Sequence, residues 1–75
     1  MEYLGAARRF IRAAGRRVRE CDEHELAALL ALRADLEAAI ADAVDGQKER
    51  KSWASIALAT GTTREAAYQR WGRRR

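Results

Sequence analysis

The chain has no proline, a single cysteine, a single histidine and no long apolar run. Without proline, no helix need be broken by a missing backbone N–H or a fixed φ. One cysteine, Cys21, excludes an intramolecular disulfide framework. Cys21 and His24 lie three apart, yet a structural zinc site takes four ligands, so the pair reads as solvated residues at a helix junction and no metal or cofactor is expected. No nucleophile stands with a base and an orienting partner, so catalysis is not expected either. The apolar stretches are short and amphipathic, which argues against a signal peptide, a transmembrane helix and any membrane partner, and leads to the expectation of a cytoplasmic protein.

Alanine is the commonest residue, and arginine outnumbers lysine 13 to 2. That composition favours helix and fits a GC-rich coding genome. A chain of 75 residues is expected to make one domain, with a thin core that depends on well-packed helices or on self-association. The expected class is therefore all-α, a small helical domain with an N-terminal helix, a long scaffold helix and a C-terminal helix-turn-helix.

The net charge of +4 is unevenly spread. Residues 1–22 carry six arginines against Glu2, Glu20 and Asp22, a balance of +3, while residues 23–45 carry only Arg33 against six carboxylates, a balance of −5. Residues 46–75 carry eight bases against Glu49 and Glu65, a balance of +6. Basic ends thus flank an acidic middle, which suits a nucleic-acid-binding unit carried on an acidic scaffold helix.

Over residues 3–19, a step of about 100° per residue gathers Tyr3, Ala7, Phe10, Ile11, Ala14, Val18 and then Cys21 on one helical face. Arg8, Arg12 and Arg19 share the opposite face with Arg9 and Arg16, as a solvated charge run or as a phosphate-contacting surface. Asp22 followed by Glu25 at the third helical position marks a new start, predicting a long helix over 23–46. Its stripe is Leu26, Leu29, Leu30, Leu32, Leu36, Ile40 and Val44, with a row of alanines behind. Arg33 and Glu37, four apart inside the stripe, read as a mutually paired couple. Gly46 and the polar run Gln47 to Lys51 mark the end of that helix.

Residues 52–72 read as two short helices about a tight glycine turn. Ser52 is a candidate N-cap before Trp53, Gly61 supplies the positive φ that the turn needs, and Thr62 or Thr63 caps the next helix, which runs to about Gly72. Ala57 is the small residue at the crossing; Ile56, Ala67 and Trp71 are expected to face the core. Trp53 and Trp71, at helical spacing in so small a domain, read as core rather than as stacking platforms for single strands.

The run Ser52-Trp53-Ala54-Ser55-Ile56-Ala57-Leu58-Ala59-Thr60-Gly61-Thr62-Thr63-Arg64-Glu65-Ala66-Ala67-Tyr68-Gln69-Arg70-Trp71 resembles the helix-turn-helix of small DNA-binding proteins of actinobacteria and their phages. The segment from Leu26 to Val44 resembles the scaffold helix of the same proteins, so the likeness covers about 50 of the 75 residues and leaves the N-terminal helix unassigned. Three positions depart from the pattern. Ser55 stands where a glutamate usually completes the capping box, Thr60 where a large aliphatic residue is usual, and Thr62 where valine or isoleucine follows the glycine. All three bear on local stability rather than on the DNA-facing positions.

The resemblance implies sequence-specific binding of double-stranded DNA and transcriptional control, with a regulator or phage-type repressor as the leading expectation. An architectural or recombination accessory factor of the excisionase type, or a protein–protein module meeting a host or regulatory protein, are the alternatives. In this docking mode Arg64, Glu65, Tyr68 and Gln69 are candidates for base edges: arginine for guanine, glutamine for adenine, Glu65 for cytosine N4 or as the orienter of Arg64, Tyr68 for a thymine methyl or a phosphate. Thr63, Arg70, Arg73, Arg74, Arg75, Lys48, Arg50 and Lys51 are the candidate phosphate contacts. A homodimer on a two-fold site is also expected, through the long helix or the apolar face of the first one.

Overall fold

The computed structural model describes residues 2–72, all of them in helices or the turns between them. The protein is all-α. Helix α1 runs Glu2–Val18, α2 Glu23–Gln47, α3 Trp53–Thr60 and α4 Arg64–Ala67, and α4 passes directly into a wider π-helical turn, Tyr68–Gly72. The packing gathers into two units, Met1–Asp35 and Leu36–Arg75, so that the first half of α2 belongs to one and the second half to the other.

In the first unit α1 is tied at its start by an Arg9–Glu2 ion pair of 2.9 Å. It unwinds after Val18 through tight backbone bonds, Glu20 N–H to the Arg17 carbonyl and Cys21 N–H to that of Val18. The Asp22 cap is made: its Oδ1 accepts from the Glu25 N–H at 3.1 Å. Cys21 is exposed, and its thiol donates to the Arg17 carbonyl at 3.4 Å. The expected burial of the α1 stripe does not occur within this unit. No residue of α1 is buried; Tyr3 and Phe10 stand 81% and 80% exposed, with Leu4 and Ile11 open beside them. Leu26, Leu30 and Leu32 on the first half of α2 are exposed as well. A shallow groove lined by Ala14, Val18, Ala28, Leu29 and Leu32, with Arg17 and Glu25 at its edge, separates the two helices.

The core lies in the second unit. Ala41 and Val44 of α2, Ile56 and Ala57 of α3, Ala67 of α4 and Trp71 of the π turn form one buried cluster, with Trp53 packed against it. Val44, Ile56, Ala57, Ala67 and Trp71 match the sequence expectation, whereas Ala41 comes from the alanine row assigned to the back of α2. Leu36 and Ile40, inside the expected stripe, stay exposed. Ala41 and Trp71 belong to the same buried cluster, and a small side chain at that point lets the packed elements approach closely. The same face carries Glu37, whose Oε1 accepts from Arg70 Nη2 at 3.1 Å, so the expected intrahelical Arg33–Glu37 pair is replaced by a tertiary one. α2 ends at Gln47, one residue past Gly46 and within the polar run expected to mark its end.

Candidate nucleic-acid interface

Both short helices are capped by their own side chains. Ser52, extended at φ −76° and ψ 156°, accepts from the Ser55 N–H, at 3.0 Å. Thr63, likewise extended, accepts from the Ala66 N–H at 3.1 Å, so Thr63 rather than Thr62 is the cap. Between them Gly61 takes the left-handed conformation, φ 74° and ψ 31°, and its N–H returns to the Ala57 carbonyl. The Thr62 N–H shares that carbonyl at 3.0 Å. Thr60, standing where a large aliphatic residue was expected, turns its hydroxyl back onto the Ile56 carbonyl at 2.8 Å and satisfies itself within the helix.

Anchoring is strongest on the inner side of the second helix, where Ala67 is 0% and Trp71 7% exposed. With that side fixed, Arg64, Glu65, Tyr68 and Gln69 are left on the outer surface. All four line one open hollow of about 260 Å³ together with Trp53. Trp53 is the residue that the sequence reading assigned only to the core. It is half-buried, and its ring meets that of Tyr68 edge to face, with centroids 5.6 Å apart and planes at 88°. The aromatic at the first position of α3 and the tyrosine of the partner helix were the available signal. Nothing local in the sequence marks the π turn, which replaces the expected α-helix over 68–72. Gly72 ends this turn directly beneath the Tyr68 ring, where a Cβ would stand 2.7 Å from Cε1. Tyr68 is thereby held between Trp53 and Gly72 and remains 46% exposed.

The candidate phosphate contacts are more dispersed. Thr63 is exposed, its oxygen accepting the cap bond and its hydroxyl proton available to an outside acceptor. Arg70 is occupied twice over, bonded to Glu37 and set 5.3 Å above the Trp71 ring. Lys48 is half-buried and pairs with Asp45 at 3.1 Å, which ties it to the end of α2 rather than leaving it free. Arg50 and Lys51 are exposed in the following turn, held by backbone bonds to the Gln47 carbonyl. Arg73, Arg74 and Arg75 lie outside the described residues. Among the described residues no group of three metal-ligating side chains gathers, and no helix is long and apolar enough to cross a membrane. Comparison with protein-family models, with curated proteins and with solved structures gave no match.

Proposed function

We propose that this chain binds double-stranded DNA sequence-specifically through residues 52–72 as a helix-turn-helix, acting as a transcriptional regulator or phage-type repressor by occupying its site, without catalysis. The observation that carries the reading is the convergence of Arg64, Glu65, Tyr68 and Gln69 on one exposed hollow of a helix anchored from behind by Ala67 and Trp71. Such a face offers a guanidinium and a carboxamide, the two groups that pair bidentately with guanine and adenine in the major groove. Tyr68, in T-shaped contact with Trp53, is suited on this reading to a thymine methyl or a phosphate. Exposed Arg50 and Lys51 supply backbone attraction, and Arg73, Arg74 and Arg75, beyond the described residues, add charge for phosphates.

The test is selection of bound duplexes from a random pool, followed by affinity measurements on the selected and on a scrambled site at several salt concentrations. Six phosphate contacts would give a log–log salt slope near roughly −5. Arg64→Ala or Gln69→Ala should each cost about 1–3 kcal/mol on the selected site and much less on the scrambled one. Replacing Arg73, Arg74 and Arg75 by alanine should weaken both sites alike and flatten the slope by roughly 1–3 units. No duplex binding at low salt overturns the proposal. Loss of discrimination on truncating the tail, with discrimination kept in Arg64→Ala and Gln69→Ala, overturns the assignment of the reading helix.

A further inference from the structure

The first unit presents a hairpin of the amphipathic α1 and the leucine-rich first half of α2, whose large apolar side chains are mostly uncovered. Seven of them, four on α1 and three on α2, are exposed. At ~150–200 Å² per large side chain they leave on the order of 700–800 Å² open, about what each partner contributes to a standard protein interface. The charge around these apolar faces is ordered by helix. Arg17 stands at the groove edge on the α1 side, and the five arginines of α1 oppose only Glu2. Glu25 stands at the groove edge on the α2 side, and in this unit the acidic residues Glu23, Glu25 and Asp35 of α2 oppose only Arg33. Basic flanks on one helix and acidic flanks on the other are the pattern that makes like helices repel and unlike helices pair.

We propose that a second copy of this chain covers the hairpin. The two hairpins would pack as an intermolecular four-helix bundle, the arginine-flanked face of α1 lying against the carboxylate-flanked face of the partner's α2. A self-complementary surface of this kind closes on itself about a two-fold axis, because each copy offers both the basic and the acidic helix. An anionic lipid surface is the weaker occupant, since it would attract α1 while repelling Glu23, Glu25 and Asp35 and would leave the leucines of α2 without a complementary partner. Arg33, inside the leucine face, reaches the rim on its long aliphatic stem. The inference rests on the DNA-binding reading for its purpose, a dimer on a two-fold site, and on the hairpin alone for its chemistry.

Sedimentation equilibrium of the full chain at tens of micromolar under reducing conditions is the direct test, and a dimer is expected. Phe10→Asp or Leu30→Asp should raise the dissociation constant by about tenfold or more. Because either variant could instead disorder the hairpin, a charge exchange provides the second measurement. Arg17→Glu, and separately Glu25→Arg, should each weaken self-association, while an equimolar mixture of the two full-length variants should recover a heterodimer. A strict monomer, a dimer indifferent to all these substitutions, or a mixture that does not recover overturns the proposal. So does a monomer that floats with vesicles of phosphatidylserine and phosphatidylcholine. Duplex binding measured on the same samples separates the two readings: a dimer that binds no DNA leaves this inference standing and removes the proposed function, and a monomer that binds DNA does the reverse.

Discussion

The two units of this chain use similar materials to opposite ends. Met1–Asp35 holds most of the leucines that sequence periodicity marks as a core, with Tyr3 and Phe10 beside them, and no residue of α1 is buried. Leu36–Arg75 builds its core from three alanines, a valine, an isoleucine and a tryptophan, and adds a capping side chain to each short helix. The difference is one of closure. A helical stripe is stabilising only when another element is shaped to meet it, and in the second unit the left-handed turn at Gly61 folds α3 back against α4 so that small residues let the helices approach closely.

The contrast can be broken most forcefully at Trp71. Trp71→Ala removes the largest member of the buried cluster and should cost about 3–5 kcal/mol, enough to abolish cooperative unfolding of a domain this small. Phe10→Ala, at a bulky aromatic in the other unit, should lower the unfolding free energy by less than about 0.5 kcal/mol in dilute solution, with a growing penalty as concentration rises. Denaturant titrations followed through tryptophan fluorescence at two protein concentrations measure both. Equal costs for the two substitutions in dilute solution would erase the distinction between the units.

A smaller effect is expected at the turn that closes the second unit. No atom crowds the Cβ position at Gly61, so Gly61→Ala meets no collision and suffers only the left-handed backbone, about 1–2 kcal/mol. The same titration reports it, and a neutral result would mean that the turn relaxes to negative φ without harm. Smallest of all should be Glu37→Gln. The Glu37–Arg70 pair is more than half exposed on both sides, which places its contribution at about 0–1 kcal/mol and makes it sensitive to salt. Freed from Glu37, Arg70 becomes available to a phosphate, and the salt slope of duplex binding should steepen by at most about one unit. A destabilisation of the size expected for Trp71→Ala would show that this pair, rather than the indole, holds the π turn in place.

What could be read from the sequence was whatever is decided within four residues. Asp22, Ser52 and Gly61 were recognisable because a cap bond or a positive φ depends on its immediate neighbours. Ile56, Ala67 and Trp71 followed from the spacing of two helices about one glycine. Periodicity was less informative on α1 and α2, since it identifies an apolar face and not whether anything covers it. It favoured Leu36 and Ile40 over Ala41 because it scores side-chain size, whereas burial in the cluster goes to the small Ala41. Arg33 was matched to Glu37 by sequence distance alone, and Arg70, 33 positions away, was invisible to that reasoning. Of the candidate interface, the four outer residues of the second helix were foreseen; the Trp53–Tyr68 contact and the π turn were not, because both arise from packing across the turn.

Gly72 bears on how this protein could diverge. A methyl group there would run into the Tyr68 ring, forcing the ring aside and disturbing its edge-on contact with Trp53. Tyr68 shares its hollow with Arg64 and Gln69, so a change at a position with no side chain of its own would alter the shape of the surface without touching either polar group. On the proposed function, position 72 is then a remote tuning point: two descendants could keep every outward-facing residue identical and still prefer different operators, their divergence recorded only in whether a glycine remains beneath the tyrosine.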